Sequence, residues 1–192
     1  VTPTGFALFD TEIGCCGVAW SARGIAGVQL PEGSHLAMRA RMLRRFPGAR
    51  ETTPPAEVRQ AIEAMGALLR GESSELRAIP LDLDGIAPFE QRVYEVARTI
   101  PPGTTLSYGE IARRLGAPGA ARDVGQALGR NPFPIVVPCH RVVAAGGKLG
   151  GFSARGGATT KRRLLSVERA QGHGALPLFA VSPPEADGRS RR

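Results

Sequence analysis

Residues 107–130 read Ser107-Tyr-Gly-Glu-Ile-Ala-Arg-Arg-Leu-Gly-Ala-Pro-Gly-Ala-Ala-Arg-Asp-Val-Gly-Gln-Ala-Leu-Gly-Arg130. Ser107 with Glu110 three positions later forms a capping box, in which each end group satisfies a backbone N–H of the other, so a helix is expected over 108–115. The Gly-Ala-Pro-Gly break at 116–119 stops it. A second helix, 120–128, follows at once. Two short helices joined by a tight Gly-containing turn make a helix-turn-helix candidate, with an ordinary helical hairpin as the other reading. The second helix is built from small residues, Ala120, Ala121, Gly125 and Ala127, which let a backbone approach a groove closely. Arg122 and Arg130 are available to phosphates or bases.

Charge placement around this pair points the same way. The chain of 192 residues carries a net +8. Residues 1–95 hold ten basic and twelve acidic side chains, whereas residues 96–167 hold eleven basic ones against only Glu110 and Asp123. A field concentrated in one region suits a polyanion such as nucleic acid, because each neutralised phosphate releases counterions. An Arg-rich surface on a soluble protein is the alternative.

Upstream the texture is mixed α/β. Short apolar stretches at 5–10, 17–21 and 24–30, with Gly between them, predict a small antiparallel sheet. Residues 34–46 predict a helix whose apolar positions only partly share a face. Val58, Ile62, Met65, Leu68 and Leu69 share one well, after Pro54-Pro55 and before a stop at Gly71. Alternation over 81–86 predicts a last strand. Pro88 then opens a helix bearing Phe89, Val93, Val96 and Ala97, and Ile100-Pro-Pro-Gly103 ends it. A boundary near residue 87 gives an N-terminal α/β domain at 1–87, a mostly helical domain at 88–180, and a polar, Pro- and Arg-containing tail at 181–192 expected to be disordered.

At 42% hydrophobic residues the chain can bury a core. There is no apolar run near the ~18 residues a membrane span needs and no leader-like N-terminus, so an intracellular, cytoplasmic protein without membrane contact is expected. Three cysteines, Cys15, Cys16 and Cys139, cannot make a secreted disulfide framework. With His35, His140 and His173 as the only imidazoles and no C-x-x-C pair, no metal is expected.

Downstream of the helix pair, Asn131-Pro-Phe-Pro-Ile-Val-Val-Pro-Cys-His-Arg-Val-Val143 is the most unusual stretch. Its prolines exclude a helix, so an extended segment over 135–137 is expected to present Cys139. On so stiff a support Cys139 is a candidate nucleophile; a buried, inert thiol is the plainer reading. His140, Arg141 and the surrounding positive field favour thiolate. In extended chain Cys139 and His140 would point opposite ways, so a water would have to link them. A zinc deaminase is excluded, because Val142 stands where its second Cys belongs and no His-x-Glu occurs. A papain-like hydrolase lacks a recognisable setting for its distant His. Attack of thiolate on an alkyl carbon of damaged DNA unites the thiol, the helix pair and the basic field.

Thr105-Leu-Ser-Tyr-Gly-Glu-Ile-Ala, Ala120-Ala-Arg-Asp-Val-Gly-Gln-Ala-Leu and Asn131-Pro-x-Pro-Ile-x-x-Pro-Cys-His-Arg-Val together resemble the O6-alkylguanine-DNA alkyltransferase family, in order and without gaps. The resemblance runs from about Pro88 to Glu168. It implies a ribonuclease H-like N-terminal domain and a C-terminal domain with a winged helix-turn-helix-like motif. It further implies single-turnover, cofactor-free transfer of a methyl or small alkyl group from O6-alkylguanine, with O4-alkylthymine as a further candidate substrate, in duplex DNA to Cys139 of a monomer. The alternative is a helix-turn-helix reader or regulator of alkylated DNA that does not transfer the group.

By the same resemblance His140 is the water-mediated base for the thiol, and Glu168, which alone would read as a solvated helix residue, orients it. Tyr108 crowds the target phosphate and supplies a hydrogen bond or proton to the departing guanine. Arg122 is the finger that fills the gap left by the flipped base, and Asn131 ties the recognition helix to the active-site segment. Docking in the minor groove uses Ala121, Gly125, Arg130 and Arg141. Val142, Val143, Phe152 and Ser153 line the pocket. Where the family often has Tyr-Ser-Gly-Gly, this chain has Phe152-Ser-Ala-Arg-Gly-Gly, two residues longer and short of one hydroxyl. Lys161 keeps a supporting role through its spacing to Glu168.

Overall fold

A computed structural model describes residues 3–72 and 74–168. The expected tail at 181–192, the end of the 88–180 domain and His173 lie outside the described residues. Strands β1 (Gly5–Thr11), β2 (Gly14–Ser21) and β3 (Gly24–Gln29) pair antiparallel in sequence order, as alternating short apolar runs with glycine turns dictate. A two-residue strand β4 (Arg50–Glu51) adds to the free edge of β1 in parallel, giving the order β3-β2-β1-β4. Nothing in the sequence marks β4: both its residues are exposed and charged.

The sheet is covered on both faces, and β2 shows why. Cys16, Val18 and Trp20 point into the main core, while Cys15 and Ala19 point to the other side, as the two-residue period of a strand requires. On that second side lies α1 (His35–Arg45), capped by the Ser34 hydroxyl. Its Met38, Met42 and the following Phe46 are buried, each contributing roughly 2 kcal/mol by area, whereas Leu36 and Leu43 face solvent. This is the physical content of the imperfect apolar face. Gly17 lets α1 sit close, since a Cβ there would lie 2.6 Å from Met42 Sδ.

The main core joins the other sheet face to α2 (Ala56–Leu69) and to the C-terminal helices. These are α3 (Pro88–Arg98), α4 (Tyr108–Arg114), α5 (Ala121–Gly129) and α6 (Ala158–Val167). The predicted Pro88 start and the Ser107/Glu110 capping box are both present: Ser107 Oγ accepts from Glu110 N at 3.2 Å, and Glu110 Oε2 accepts from Ser107 N at 2.6 Å. Tyr94 on α3 is fully buried and donates its hydroxyl to the Ala127 carbonyl of α5 at 3.1 Å, fixing the second helix of the pair.

Two expectations fail. The alternating run at 81–86 makes only a single parallel bridge, Leu81 to Ile25, instead of a strand. The Asp82 carboxylate is taken by Ser21 Oγ at 2.5 Å, by Arg23 Nε at 3.0 Å and by the backbone N–H of Asp84 at 3.1 Å. That closes a turn, which pulls the chain off the sheet edge. Likewise residues 135–137 are not extended: Val137 N donates back to Phe133 O at 2.8 Å, and Ile135 adopts φ +76°. The prolines forbid a helix but are compatible with this turn. A β-branched residue in the left-handed region is strained and persists only where packing enforces it, and Ile135 is buried at 1% exposure.

One carbonyl anchors this turn to the sheet. Pro132 O accepts from Val28 N on β3 at 2.9 Å and from Arg45 Nη2 on α1 at 3.0 Å. The segment that leads to Cys139 is thus hydrogen-bonded directly to the N-terminal half.

Candidate active site

Cys139 begins a 3-10 turn, Cys139–Arg141, that passes straight into β6 (Val142–Val143). β6 pairs in parallel with β5 (Leu106–Ser107), the residues just ahead of α4. The turn replaces the extended geometry expected for Cys139 and His140, so the rule of opposite-pointing neighbours does not apply here. Asn131, directly after α5, holds the approach: its Nδ2 donates to Val137 O at 2.9 Å and its Oδ1 accepts from Phe133 N at 2.9 Å. These two bonds order the segment from Asn131 to Val137 that leads from the end of α5 to Cys139.

The Cys139 side chain forms part of a cavity of about 550 Å³ together with Tyr108, Ala121, Arg122, Gly125, Phe152 and Ser153. Seven sequence-selected residues meet there. Tyr108 is the first residue of α4, and its ring stands over Gly125 of α5 and against Gly150. Gly150 has φ +69°, and a Cβ on it would lie 3.1 Å from the Tyr108 hydroxyl, so a side chain there would displace the phenol. Burial, and then the charge of an ionised Cys139, push the Tyr108 hydroxyl pKa up, which keeps it a proton donor.

Behind Cys139 lies a buried charged cluster. His140 Nε2 is 2.8 Å from Glu168 Oε1, and Arg141 meets the same carboxylate through Nε and Nη2, both at 2.8 Å. Burial raises the Glu168 pKa, but the His140 ring and the Arg141 guanidinium outweigh it and hold the carboxyl at about 2. An ionised carboxylate at Nε2 selects the tautomer with its proton there, leaving Nδ1 as an acceptor. Nδ1 is buried and has no hydrogen-bond partner among the described residues. It is the one ring atom free to take a proton.

Lys161 was not singled out for this environment. It is fully buried, donates to Val142 O at 2.5 Å, and places Nζ 5.8 Å from the centre of the Tyr108 ring. Burial lowers its ammonium pKa to about 8 against the opposing pull of Cys139. A usable signal existed: Lys161, Leu164, Leu165 and Glu168 stand at i, i+3, i+4 and i+7, one helical face. Burial pushes the Cys139 thiol up, while Asn131, the Lys161 ammonium and the N–H groups of Cys139 and His140 draw it back down.

Other assignments need correction. Arg141 is buried at 5% exposure, bound to Glu168 and to Ile100 O at 2.5 Å, so it cannot reach a phosphate. A guanidinium in that position is needed to neutralise Glu168 inside the protein. Val142 and Val143 are consumed by β6 pairing and packing and do not line the cavity, because the 3-10 turn swings them away from it. Arg122 is exposed at the cavity mouth, whereas Arg130, also at the surface, is paired with Glu90 at 2.7 Å. Cys139 also borders a second, smaller cavity of about 250 Å³ that reaches β3 and α1 through Gln29, Arg41 and Arg45.

The family model described as the DNA-binding domain of 6-O-methylguanine DNA methyltransferase matches residues 88–170. A methylated-DNA–protein-cysteine methyltransferase of Mycolicibacterium paratuberculosis is 50% identical over 128 residues, 67% of this chain and 75% of that protein. A crystal structure of Mycobacterium tuberculosis OGT in complex with DNA superposes with a TM-score of 0.69 at 37% identity, covering 88% of this chain and 95% of the other. An O6-methylguanine-DNA methyltransferase from Pyrococcus kodakaraensis gives 0.66 at 27% identity, covering 85% and 98%. With the thiol, its cavity and its helix pair all in place, the chain belongs to the methylated-DNA–protein-cysteine methyltransferase family.

Proposed function

We propose that this chain repairs DNA by direct reversal, with Cys139 as the acceptor of a methyl or small alkyl group from O6-alkylguanine in duplex DNA. The observation that carries this reading is the Cys139 thiol bordering a cavity flanked by Tyr108 and Arg122, with the His140–Glu168 pair behind it. His140 Nδ1 takes the thiol proton, through a water where direct reach fails. The thiolate attacks the alkyl carbon, a C–S bond forms, and the C–O6 bond breaks with its electron pair on the base. Tyr108 supplies a proton to the departing guanine. The product is a thioether, which nothing in the site can cleave, so one molecule repairs one lesion.

Reaching a base inside a duplex requires that it be flipped out. The cavity runs along α5, bounded by Tyr108, Cys139 and residues 151–153, and the small α5 residues Ala121 and Gly125 line it, which supports docking of that helix in the minor groove. The four-stranded sheet with helices on both faces supports a ribonuclease H-like N-terminal domain over 1–87. The α4–α5 pair flanked by β5 and β6 supports a winged helix-turn-helix-like motif within 88–180. All three cysteines are free thiols, in keeping with a reducing cytoplasm, and no described helix is long and apolar enough to cross a membrane. The chemistry needs one thiol and one lesion, so a monomer suffices.

With substrate duplex in large excess, repaired lesions are expected to plateau at one per protein molecule. Continued turnover would contradict the reading, and binding without any repair would favour a non-transferring reader. Arg122→Ala is expected to slow duplex repair roughly tenfold or more, because unstacking costs a few kcal/mol that the inserted side chain offsets. Reaction with free O6-alkylguanine should hardly change, and equal loss on both substrates would remove the finger role.

A further inference from the structure

The β1–β2 hairpin places Asp10 directly opposite Cys15. Side chains of directly opposed residues leave the sheet on the same face. That face is the one α1 covers, and His35 is the first residue of α1. The Cys15 sulfur, an Asp10 carboxylate oxygen and a His35 ring nitrogen all lie within 4.8 Å of one another, with His35 Nε2 2.8 Å from Asp10 Oδ1. Cys15 is buried, whereas Asp10 and His35 are exposed, so the cluster has an apolar floor and an open side. None of the three takes part in alkyl transfer.

We propose that Asp10, Cys15 and His35 bind a divalent transition-metal ion of the zinc class, with solvent in the fourth position. The donors are a thiolate sulfur, an imidazole nitrogen and a carboxylate oxygen, each an ordinary zinc ligand, and the sulfur and nitrogen together disfavour magnesium or calcium. Ligand atoms around a tetrahedral zinc stand ~3.3–3.8 Å apart, given bonds of about 2.0–2.3 Å. Asp10 and His35 therefore need to part by only about half an ångström, which two exposed side chains do readily. The third donor, the Cys15 sulfur, lies within 4.8 Å of both, on the strand position paired with Asp10. On binding, the Cys15 S–H gives its proton to bulk water as the S–metal bond forms, and His35 turns an unprotonated Nε2 to the ion, its ring proton resting on Nδ1. His35 also borders an open depression with Leu8 and Leu36, which gives solvent a path to the fourth position. The sequence hid this site because its ligands come from a strand end, the facing strand and a helix start, with no motif spacing. The expectation of no metal, drawn from missing C-x-x-C pairs, does not reach such a site.

The test is titration of the full-length chain, carrying Cys139→Ala to remove the other thiol with an imidazole neighbour, with Co²⁺ and then Zn²⁺. One equivalent of Co²⁺ should give a thiolate-to-cobalt charge-transfer band and the intense visible bands of four-coordinate cobalt, both erased by Zn²⁺. His35→Ala, at an exposed position, should fold normally and weaken metal affinity ~100-fold or more, beyond the ~10–100-fold typical of outer-shell changes. Cys15→Ser should abolish the charge-transfer band. Absence of that band in the parent, its survival in the Cys15 variant, or an unchanged Co²⁺ affinity in the His35 variant would overturn the proposal.

Discussion

Replacing Cys139 with alanine is expected to abolish alkyl transfer completely while leaving affinity for duplex DNA within about threefold, since no phosphate contact is lost. The asymmetry follows from where the sulfur sits. Cys139 is buried at 9% exposure at the cavity wall, whereas Arg122, the cationic side chain proposed to meet DNA, is exposed and borders the same cavity. Gel-shift titration and a repair assay on the same preparation separate the two properties. Residual transfer would mean that another group accepts the alkyl, and joint loss of binding and transfer would make Cys139 a structural residue.

Glu168→Gln is the second large effect, and it acts on both stability and rate. The carboxylate is a buried partner to Arg141 and His140, and removing one side of such a cluster costs about 3–5 kcal/mol. Linkage between protonation and folding gives a similar size. A carboxyl held at about 2 instead of its ordinary 4.5 contributes about 3 kcal/mol, fully present above pH 4.5 and lost as pH falls through 2. Urea midpoints of the parent should therefore drop more steeply between pH 5 and 2 than those of the variant; parallel curves would contradict the assignment. Transfer should slow by about 100-fold or more, the scale of a misplaced general base, because the neutral amide no longer supplies the negative charge beside His140 and sets an NH2 group against the donors of Arg141 and His140 that the two carboxylate oxygens had shared. A variant that repairs at the parent rate would remove Glu168 from the mechanism.

What could be read in advance divides along a physical line. Local hydrogen-bond chemistry was legible: the Ser107/Glu110 box, Pro88 as a helix start and the Gly71 stop all act within a few residues. The strands β1 to β3 were legible through alternation and glycine turns. Features that depend on distant partners were not. β4 exists only because an edge of β1 was free, and the run at 81–86 lost its strand to Ser21 and Arg23, some sixty residues earlier. Ile135 takes a left-handed backbone because burial enforces it, which no local preference signals.

The site shows the same division. Cys139, Tyr108, Arg122, Ala121, Gly125, Phe152 and Ser153 do converge on one cavity. Arg141 looked like one more cation of a basic region, yet it is committed to Glu168, a partner 27 positions away. Lys161 carried only a supporting role, given by its spacing to Glu168, and its burial was not legible in a Lys-Arg-Arg run whose charge suggested solvent, although its helical spacing with Leu164 and Leu165 pointed inward. Where charge and periodicity disagree at a functional site, periodicity was the better guide here.

In the proposed reaction the Cys139 sulfur takes the alkyl carbon and keeps it. The most direct measurement is peptide mass mapping after incubation with a duplex bearing O6-methylguanine. A single added methyl is expected, confined to the peptide containing Cys139 and equal in amount to the guanine restored. An unmodified Cys139 alongside repaired DNA, or a methyl found on Cys15, Cys16 or any other residue, would contradict it.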